Sequence, residues 1–232
     1  MTPTTGRTLH GVLFDLDGTL LDTAPDLAAA LNRVRAIHAL PPLPYAEIRP
    51  WVSHGSYALT RLGFAYAEDS DEFEAARLAL LDAYHAHVAD DTSLFPGMDA
   101  LLDDIEARGL RWGIVTNKPG WLTTPLLEKI GLGWQPACVV SGDTLPERKP
   151  HPAPLLHAAR ALACAPGHCV YIGDAERDVT AGREAGMRTL VATYGYIGPG
   201  EDPLRWQASA LVDSPAAILA WLARQLDARQ PS

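Results

Sequence analysis

Two kinds of hydrophobic pattern alternate along the chain. Short, continuous apolar runs bounded by glycine or polar turns fall at Gly11–Leu16, Trp112–Val115, Ala137–Val140, Cys169–Ile172 and Thr189–Ala192, with a weaker one at Ala210–Val212. Runs this short and this apolar predict strands buried on both faces. Between them, apolar positions recur with the period of a helix over Met98–Arg108, Trp121–Ile130, Pro154–Ala163, Arg177–Ala185 and Ala216–Leu226. Strand alternating with helix implies an α/β fold built on a Rossmann-like parallel sheet. Short connections between parallel strands force right-handed crossovers, which bring the carboxyl ends of the strands to one edge of the sheet.

One stretch breaks the alternation. From Asp22 to about Leu94 no strand is evident, and the pattern is helical. The first helix is expected after Thr23, which would cap it, with Asp26 as the acid of a capping box. Leu27, Leu31, Val34 and Ile37 then fall on one face. A later helix, about Asp71 to Val88, would bury Phe73, Leu80, Leu81, Tyr84 and Val88. The Phe95-Pro96-Gly97 turn closes the block. The expected organisation is a catalytic core of residues 1–22 and 95–232 with a small all-helical cap of residues 23–94 inserted beside Asp15. A lid in that place could exclude water and choose substrates. The alternative is that these helices pad one face of the sheet; the length of the block favours the cap.

Composition narrows the partners. The 232 residues are 47% hydrophobic and 20% charged, the balance of a folded globular chain with a substantial core. A net charge of -9 leaves no wide basic surface for nucleic acid. A small anionic substrate stays possible, because one lysine and one metal ion can invert the local field. Cys138, Cys164 and Cys169 form no C-x-x-C pair, lack a histidine at zinc-site spacing, and read as buried, reduced thiols. The opening MTPTTGRTLHG holds no apolar leader segment, and no run approaches the length of a membrane span. The expectation is a cytoplasmic protein with no membrane partner, of unassigned oligomeric state.

The polar residues cluster where the predicted strands end. Asp15-Leu16-Asp17-Gly18-Thr19 follows the first, Thr116-Asn117-Lys118 the second, Arg148-Lys149-Pro150 comes beyond the third, and Gly173-Asp174 with Asp178 follows the fourth. Taken singly, each is ordinary: Asp-Gly is a common turn, and Thr-Asn a common helix cap. Together they converge on one sheet edge. Carboxylates crowded there raise one another's pKa unless a cation holds them, and oxygen-only ligands suit Mg²⁺. Mg²⁺ and Lys149 would also let an anionic phosphate approach, so the set reads as a phosphoryl-transfer site.

The motifs DLDGT, TN, KP and GDxxxD, in this order at strand ends, resemble the haloacid dehalogenase superfamily of phosphatases from about Leu9 to Leu226. The resemblance implies Asp15 as nucleophile, forming an aspartyl-phosphate, and Asp17 as general acid and then base. It implies Thr116 and Asn117 as phosphate donors, Lys149 as the stabilising cation, and Thr19 in the substrate-binding set, orienting Asp17. Mg²⁺ would be held by Asp15, the Asp17 backbone carbonyl and Asp174, with Asp178 orienting from behind or acting through water. The inserted block matches the family's helical cap. Within it Arg49, Ser53 and His54 are expected to help choose the substrate, the alternative being Arg49 paired with Glu47, Trp51 in the core and His54 merely solvated. The general pattern resembles phosphoglycolate phosphatases, while DEFEAARLALLDAYHAH, LLDDIEARGLRWGIVTNKP and YGYIGPGEDPLRW are closer to N-acetylmuramic acid 6-phosphate phosphatases. The expected substrate is therefore a small phosphorylated metabolite, with the amino-sugar phosphate first and 2-phosphoglycolate second. A sugar-phosphate mutase would share the same core residues.

Overall fold

The computed structural model describes residues 9–227; residues 1–8, which make up most of the stretch read above as lacking a leader, and residues 228–232 lie outside the described residues. The chain runs through β1 (Gly11–Phe14), β2 (Leu21–Asp22), α1 (Ala24–Ile37), α2 (Tyr45–Ile48), a 3-10 turn (Arg49–His54), α3 (Gly55–Gly63), α4 (Asp71–Ala86) and β3 (Ser93–Leu94). It continues through α5 (Met98–Ala107), β4 (Arg111–Val115), α6 (Gly120–Ile130), β5 (Val139–Val140), α7 (Ala153–Ala161) and β6 (Cys169–Gly173). Then come α8 (Glu176–Glu184), β7 (Arg188–Ala192), β8 (Ala210–Val212) and α9 (Pro215–Asp227).

Six strands form one sheet in the order β5-β4-β1-β6-β7-β8, every pair parallel. β1 is buried at every position because helices cover both faces of the sheet. Its residues alternate between the two cores, as the pleat requires. Val12 and Phe14 join Trp112, Ile114, Leu101 and Ile218 on one side, while Leu13 joins Val115, Tyr171, Leu155 and Ala181 on the other. The α/β expectation from the alternating pattern is met.

β1 ends at Phe14 rather than running to Leu16. The Asp15 amide still donates to Ile172 O at 2.8 Å, and the chain then turns, with Leu20 N and Leu21 N both donating to Leu16 O. Gly18 takes φ +80° in that turn, and a Cβ there would lie 2.1 Å from Asp174 Oδ2, so both backbone and space demand glycine.

Two features of the inserted helices differ from expectation. Thr23 does not cap α1: its hydroxyl makes no capping bond and donates instead to Asp17 Oδ1 at 2.6 Å. Asp26, expected in a capping box, accepts from Asp91 N (2.9 Å), Thr92 N (3.0 Å) and Thr92 Oγ1 (2.6 Å), clipping the start of α1 to the returning chain. Ile37, placed on the inward face by its spacing, is 80% exposed. α1 ends there, and the adjacent buried place is taken by Arg35, whose guanidinium donates to the carbonyls of Pro41 and Gly63. The stretch read as strand-free is bounded by β2 and β3, which pair antiparallel through Leu21–Leu94 and Asp22–Ser93. Strands of two residues show no alternation to detect.

Among the described residues no helix is long and apolar enough to cross a membrane. All three thiols are free, but only Cys169 is buried; Cys138 and Cys164 are half-buried. Burial pushes the Cys138 thiol up to about 11 and the Cys169 thiol to about 12, so neither is a ready thiolate.

Asp26→Ala removes the acceptor of three hydrogen bonds and strands the buried Thr92 amide. The expected loss is about 2–4 kcal/mol of unfolding free energy, read as a lowered urea midpoint with an unchanged denaturant slope.

Candidate active site

The parallel sheet delivers its polar residues to one edge. Asp15, 3% exposed, follows β1; Thr116 to Lys118 follow β4; Asp174 follows β6, with Asp178 in the first turn of α8. The buried ammonium of Lys149 sits at their centre. Its Nζ lies 2.9 Å from Asp15 Oδ1 and 2.8 Å from Asp178 Oδ1, and donates to Tyr171 Oη (2.6 Å) and Val115 O (3.0 Å). Asp178 uses its other oxygen to accept from Ala175 N at 3.0 Å, so it orients Lys149 from behind.

Burial works to raise the Asp178 carboxyl, and the charges of Lys149 and Arg177 overcome it, holding Asp178 below the usual carboxylate range. At Asp15 burial wins over Lys149, and the carboxyl rises to about 6. Asp174 rises to about 7, first by burial and then by the charges of Asp15 and Asp178. Both acids are thus biased against ionisation chiefly by burial, Asp15 even with the Lys149 ammonium 2.9 Å away.

Asp15, Asp174 and Asp178 each bring a carboxylate oxygen within 4.8 Å of the others, the one grouping of this kind among the described residues that contains Asp174. Asp174 is fully buried; its Oδ2 accepts from Tyr196 N (2.9 Å) and Ser53 Oγ (2.6 Å), while Oδ1 has no hydrogen-bond partner. An orphaned carboxylate oxygen among acids, in an all-oxygen donor set, fits a hard divalent cation such as Mg²⁺. The Asp17 side chain is outside this grouping. Its Oδ1 accepts from Lys118 Nζ at 2.8 Å and from Thr23 Oγ1, and Lys118 lies 4.4 Å from the centre of the Tyr84 ring. Burial works to raise Asp17, but Lys118 and Thr23 hold it below the usual range.

Three of the expected site residues have side chains engaged elsewhere or left unpartnered in the structure. Thr19 is fully buried with an unpartnered hydroxyl, and the bond to Asp17 expected of it is made by Thr23, just beyond β2. The Asn117 side chain exchanges hydrogen bonds with the Lys149 backbone, Nδ2 to O at 2.9 Å and N to Oδ1 at 3.0 Å. Arg49 neither lines the cavity nor pairs with Glu47; it donates to Gly195 O (3.1 Å) and Tyr194 O (2.9 Å) and lies over the Tyr196 ring. Its cation is drawn to two carbonyls of a loop that sequence distance hides.

Ser53 and His54 do reach the site. Both line a cavity of about 520 Å³ that opens between the sheet edge and the helices of the inserted block, and His54 lies 3.6 Å from Glu201. Asp15, Asp17, Thr116 and Lys118 line one side of it; Leu80, Leu81 and Tyr84 of α4 face them. Sequence reasoning placed Lys118 in the strand-end cluster with Thr116 and Asn117 but gave it no role. It also missed Tyr171, Tyr84 and Arg177, which read as core or as solvated helix. Burial works against the charge on Arg177, and Asp178, Asp15 and Asp174 outweigh it.

The arrangement has relatives. The model of the haloacid dehalogenase-like hydrolase family matches residues 12–192. A phosphoglycolate phosphatase of Xanthomonas campestris is 47% identical over 211 residues, covering 90% of this chain and 94% of that protein. An N-acetylmuramic acid 6-phosphate phosphatase of Pseudomonas aeruginosa is 41% identical over 218 residues, covering 94% and 96%. A crystal structure described as a predicted phosphoglycolate phosphatase from Haemophilus somnus superposes with a TM-score of 0.80 at 27% identity, covering 92% of this chain and 97% of its own. With a carboxylate-rich sheet edge, a buried lysine at its centre and relatives of this kind over nearly its whole length, the chain belongs to the haloacid dehalogenase-like hydrolase family, and it is a phosphatase.

Proposed function

We propose that this chain is a Mg²⁺-dependent phosphomonoester hydrolase that works through an aspartyl-phosphate on Asp15, with N-acetylmuramic acid 6-phosphate as its leading substrate. The observation that carries the mechanism is the Asp15–Lys149–Asp178 array, in which a buried cation lies 2.9 Å from the proposed nucleophile. Lys149 holds the Asp15 carboxylate in place and meets the charge that grows on the phosphoryl oxygens during transfer. A carboxylate oxygen of Asp15 attacks phosphorus, and the ester oxygen leaves with a proton from Asp17. Asp17 then takes a proton from water, whose oxygen attacks the aspartyl-phosphate and releases inorganic phosphate. In the free protein Lys118 and Thr23 keep Asp17 ionised; a phosphate dianion that engages Lys118 removes that bias, so Asp17 takes up a solvent proton before it protonates the leaving oxygen.

Thr116 supplies a hydroxyl at the phosphate end, and Asn117 acts by fixing the Lys149 backbone. Asp174 and Asp15 would hold Mg²⁺, with Asp178 as a neighbour engaged chiefly by Lys149. When bound, Mg²⁺ supplies charge neutralisation that lets an anionic ester approach an anionic nucleophile. Residues 23–94 act as a cap over the core of residues 1–22 and 95–232, with Ser53 and His54 at the substrate face.

The cavity supports the amino-sugar phosphate. Its volume of about 520 Å³ is within the range of about 300–1,000 Å³ typical of sites for drug-sized ligands, far more than a two-carbon acid fills. The apolar wall from α4 suits the methyl-bearing substituents of an N-acetylated lactyl sugar. Phosphoglycolate is the second reading, favoured by the 47% identity to the Xanthomonas enzyme. A cytoplasmic place of action goes with either substrate and with free thiols.

The test is phosphate release, with Mg²⁺ present, from N-acetylmuramic acid 6-phosphate and 2-phosphoglycolate side by side. The expected result is a higher kcat/KM for the sugar; a preference for the two-carbon acid reverses the order, and hydrolysis of neither overturns both. Asp15→Asn is expected to give no turnover with an unchanged circular dichroism spectrum. Asp17→Asn is expected to lose roughly 10²–10⁴-fold in kcat, most with poor leaving groups; a loss uniform across leaving groups argues against the acid role. EDTA is expected to abolish activity, and added Mg²⁺ to restore it.

A further inference from the structure

Asp174 is held from two sides that are far apart in sequence. Tyr196 N donates to its Oδ2 from the loop after β7, and Ser53 Oγ donates to the same oxygen from the 3-10 turn of the helical insertion. Both donors fall on Oδ2 and leave Oδ1 free within the acidic grouping. The carboxylate is thus turned to offer one oxygen.

The Tyr194–Tyr196 loop is itself fastened. Tyr194 Oη donates to Thr19 O at 2.9 Å, and Tyr196 Oη donates to Asp22 Oδ1 at 2.6 Å while accepting from Ala24 N. Gly195 packs so closely that a Cβ would lie 2.4 Å from Gly18 O and 2.5 Å from Asp174 Cβ. Arg49 closes the set: its guanidinium donates to Tyr194 O and Gly195 O, and its Cζ lies 4.9 Å from the Tyr196 ring centre. One short turn, Arg49–His54, therefore reaches Asp174 twice, through Ser53 directly and through Arg49 by way of the loop that carries the Tyr196 amide.

We propose that Arg49 is a positioning residue for the metal-binding carboxylate of Asp174, so that the helical insertion sets the affinity of the cation site as well as covering the substrate. The inference rests on the reading of Asp174 as a ligand. Groups that hydrogen-bond or orient a ligating carboxylate typically change metal affinity 10–100-fold when removed. Arg49 acts at one further remove, through the loop, and Ser53 acts directly.

The test is calorimetric titration of the full-length, substrate-free protein with Mg²⁺ alone, beside steady-state kinetics at saturating Mg²⁺. Arg49→Gln is expected to weaken Mg²⁺ binding about tenfold with substrate KM unchanged once Mg²⁺ saturates. Arg49→Lys, which keeps the charge and a donor, is expected to recover part of the loss. Ser53→Ala weakens Mg²⁺ in the same direction and serves as the deciding variant should Arg49→Gln fail to fold. Equal Mg²⁺ affinity in wild type and folded variants overturns the proposal while leaving the metal reading intact, as does a rise in KM with unchanged Mg²⁺ affinity, which would make Arg49 a substrate reader. A wild-type protein that releases phosphate but binds no Mg²⁺ overturns the metal reading and the proposal together.

Discussion

One buried ammonium organises the site. Lys149 is surrounded by two carboxylates, a phenol and a carbonyl, and its side chain has no exposed surface. Taking three charges out of water is costly, and removing one partner of such an array leaves another uncompensated. The groups around Lys149 come from three neighbouring strands: Asp15 follows β1, Val115 ends β4, Tyr171 lies within β6 and Asp178 in the helix after it. The parallel order is what lets them meet, because only a sheet whose strands share a direction brings all these ends to one edge. The Asn117 amide, locked to the Lys149 backbone, fixes the residue from outside the array.

A second, looser arrangement surrounds Asp17. Lys118 comes from the core, Thr23 from the junction and Tyr84 from α4, so the carboxylate proposed to move protons is held by residues from both sides of the cavity. Asp15 and Asp17 are two residues apart, yet their surroundings push them in opposite directions. Burial prevails at Asp15, whereas at Asp17 the Lys118 ammonium and the Thr23 hydroxyl together outweigh it. Unequal environments for adjacent acids are the usual physical basis for dividing nucleophilic and acid-base roles between them.

The sheet and the positions of the four motifs were legible because both are local signals: apolar runs of strand length, and polar residues directly after them. What escaped was information carried by tertiary distance. Tyr84 obeys the same helical spacing as Leu80, so the pattern that marks it as core conceals that its ring lies under Lys118. The irregular stretch around Arg49 and Ser53 stood out as polar, but the carbonyls that Arg49 meets are about 145 residues further along the chain. Thr19 and Thr23 are equivalent as letters; both are buried, and the turn closed on Leu16 O sets only Thr23 beside Asp17. Ile37 has the right spacing for the inward face, and α1 simply ends before that face is covered.

The chain leaves the sheet through β2 and returns through β3, and these two strands are hydrogen-bonded neighbours. Everything that α1 to α4 contribute is therefore strung between two points held side by side. To the rest of the molecule such a segment is a pendant whose internal length and sequence can change without disturbing strand order. Strand order is thus independent of what lies between Asp22 and Ser93, while Thr23 beside Asp17 and Ser53 beside Asp174 tie that segment's sequence to the sheet edge at two points.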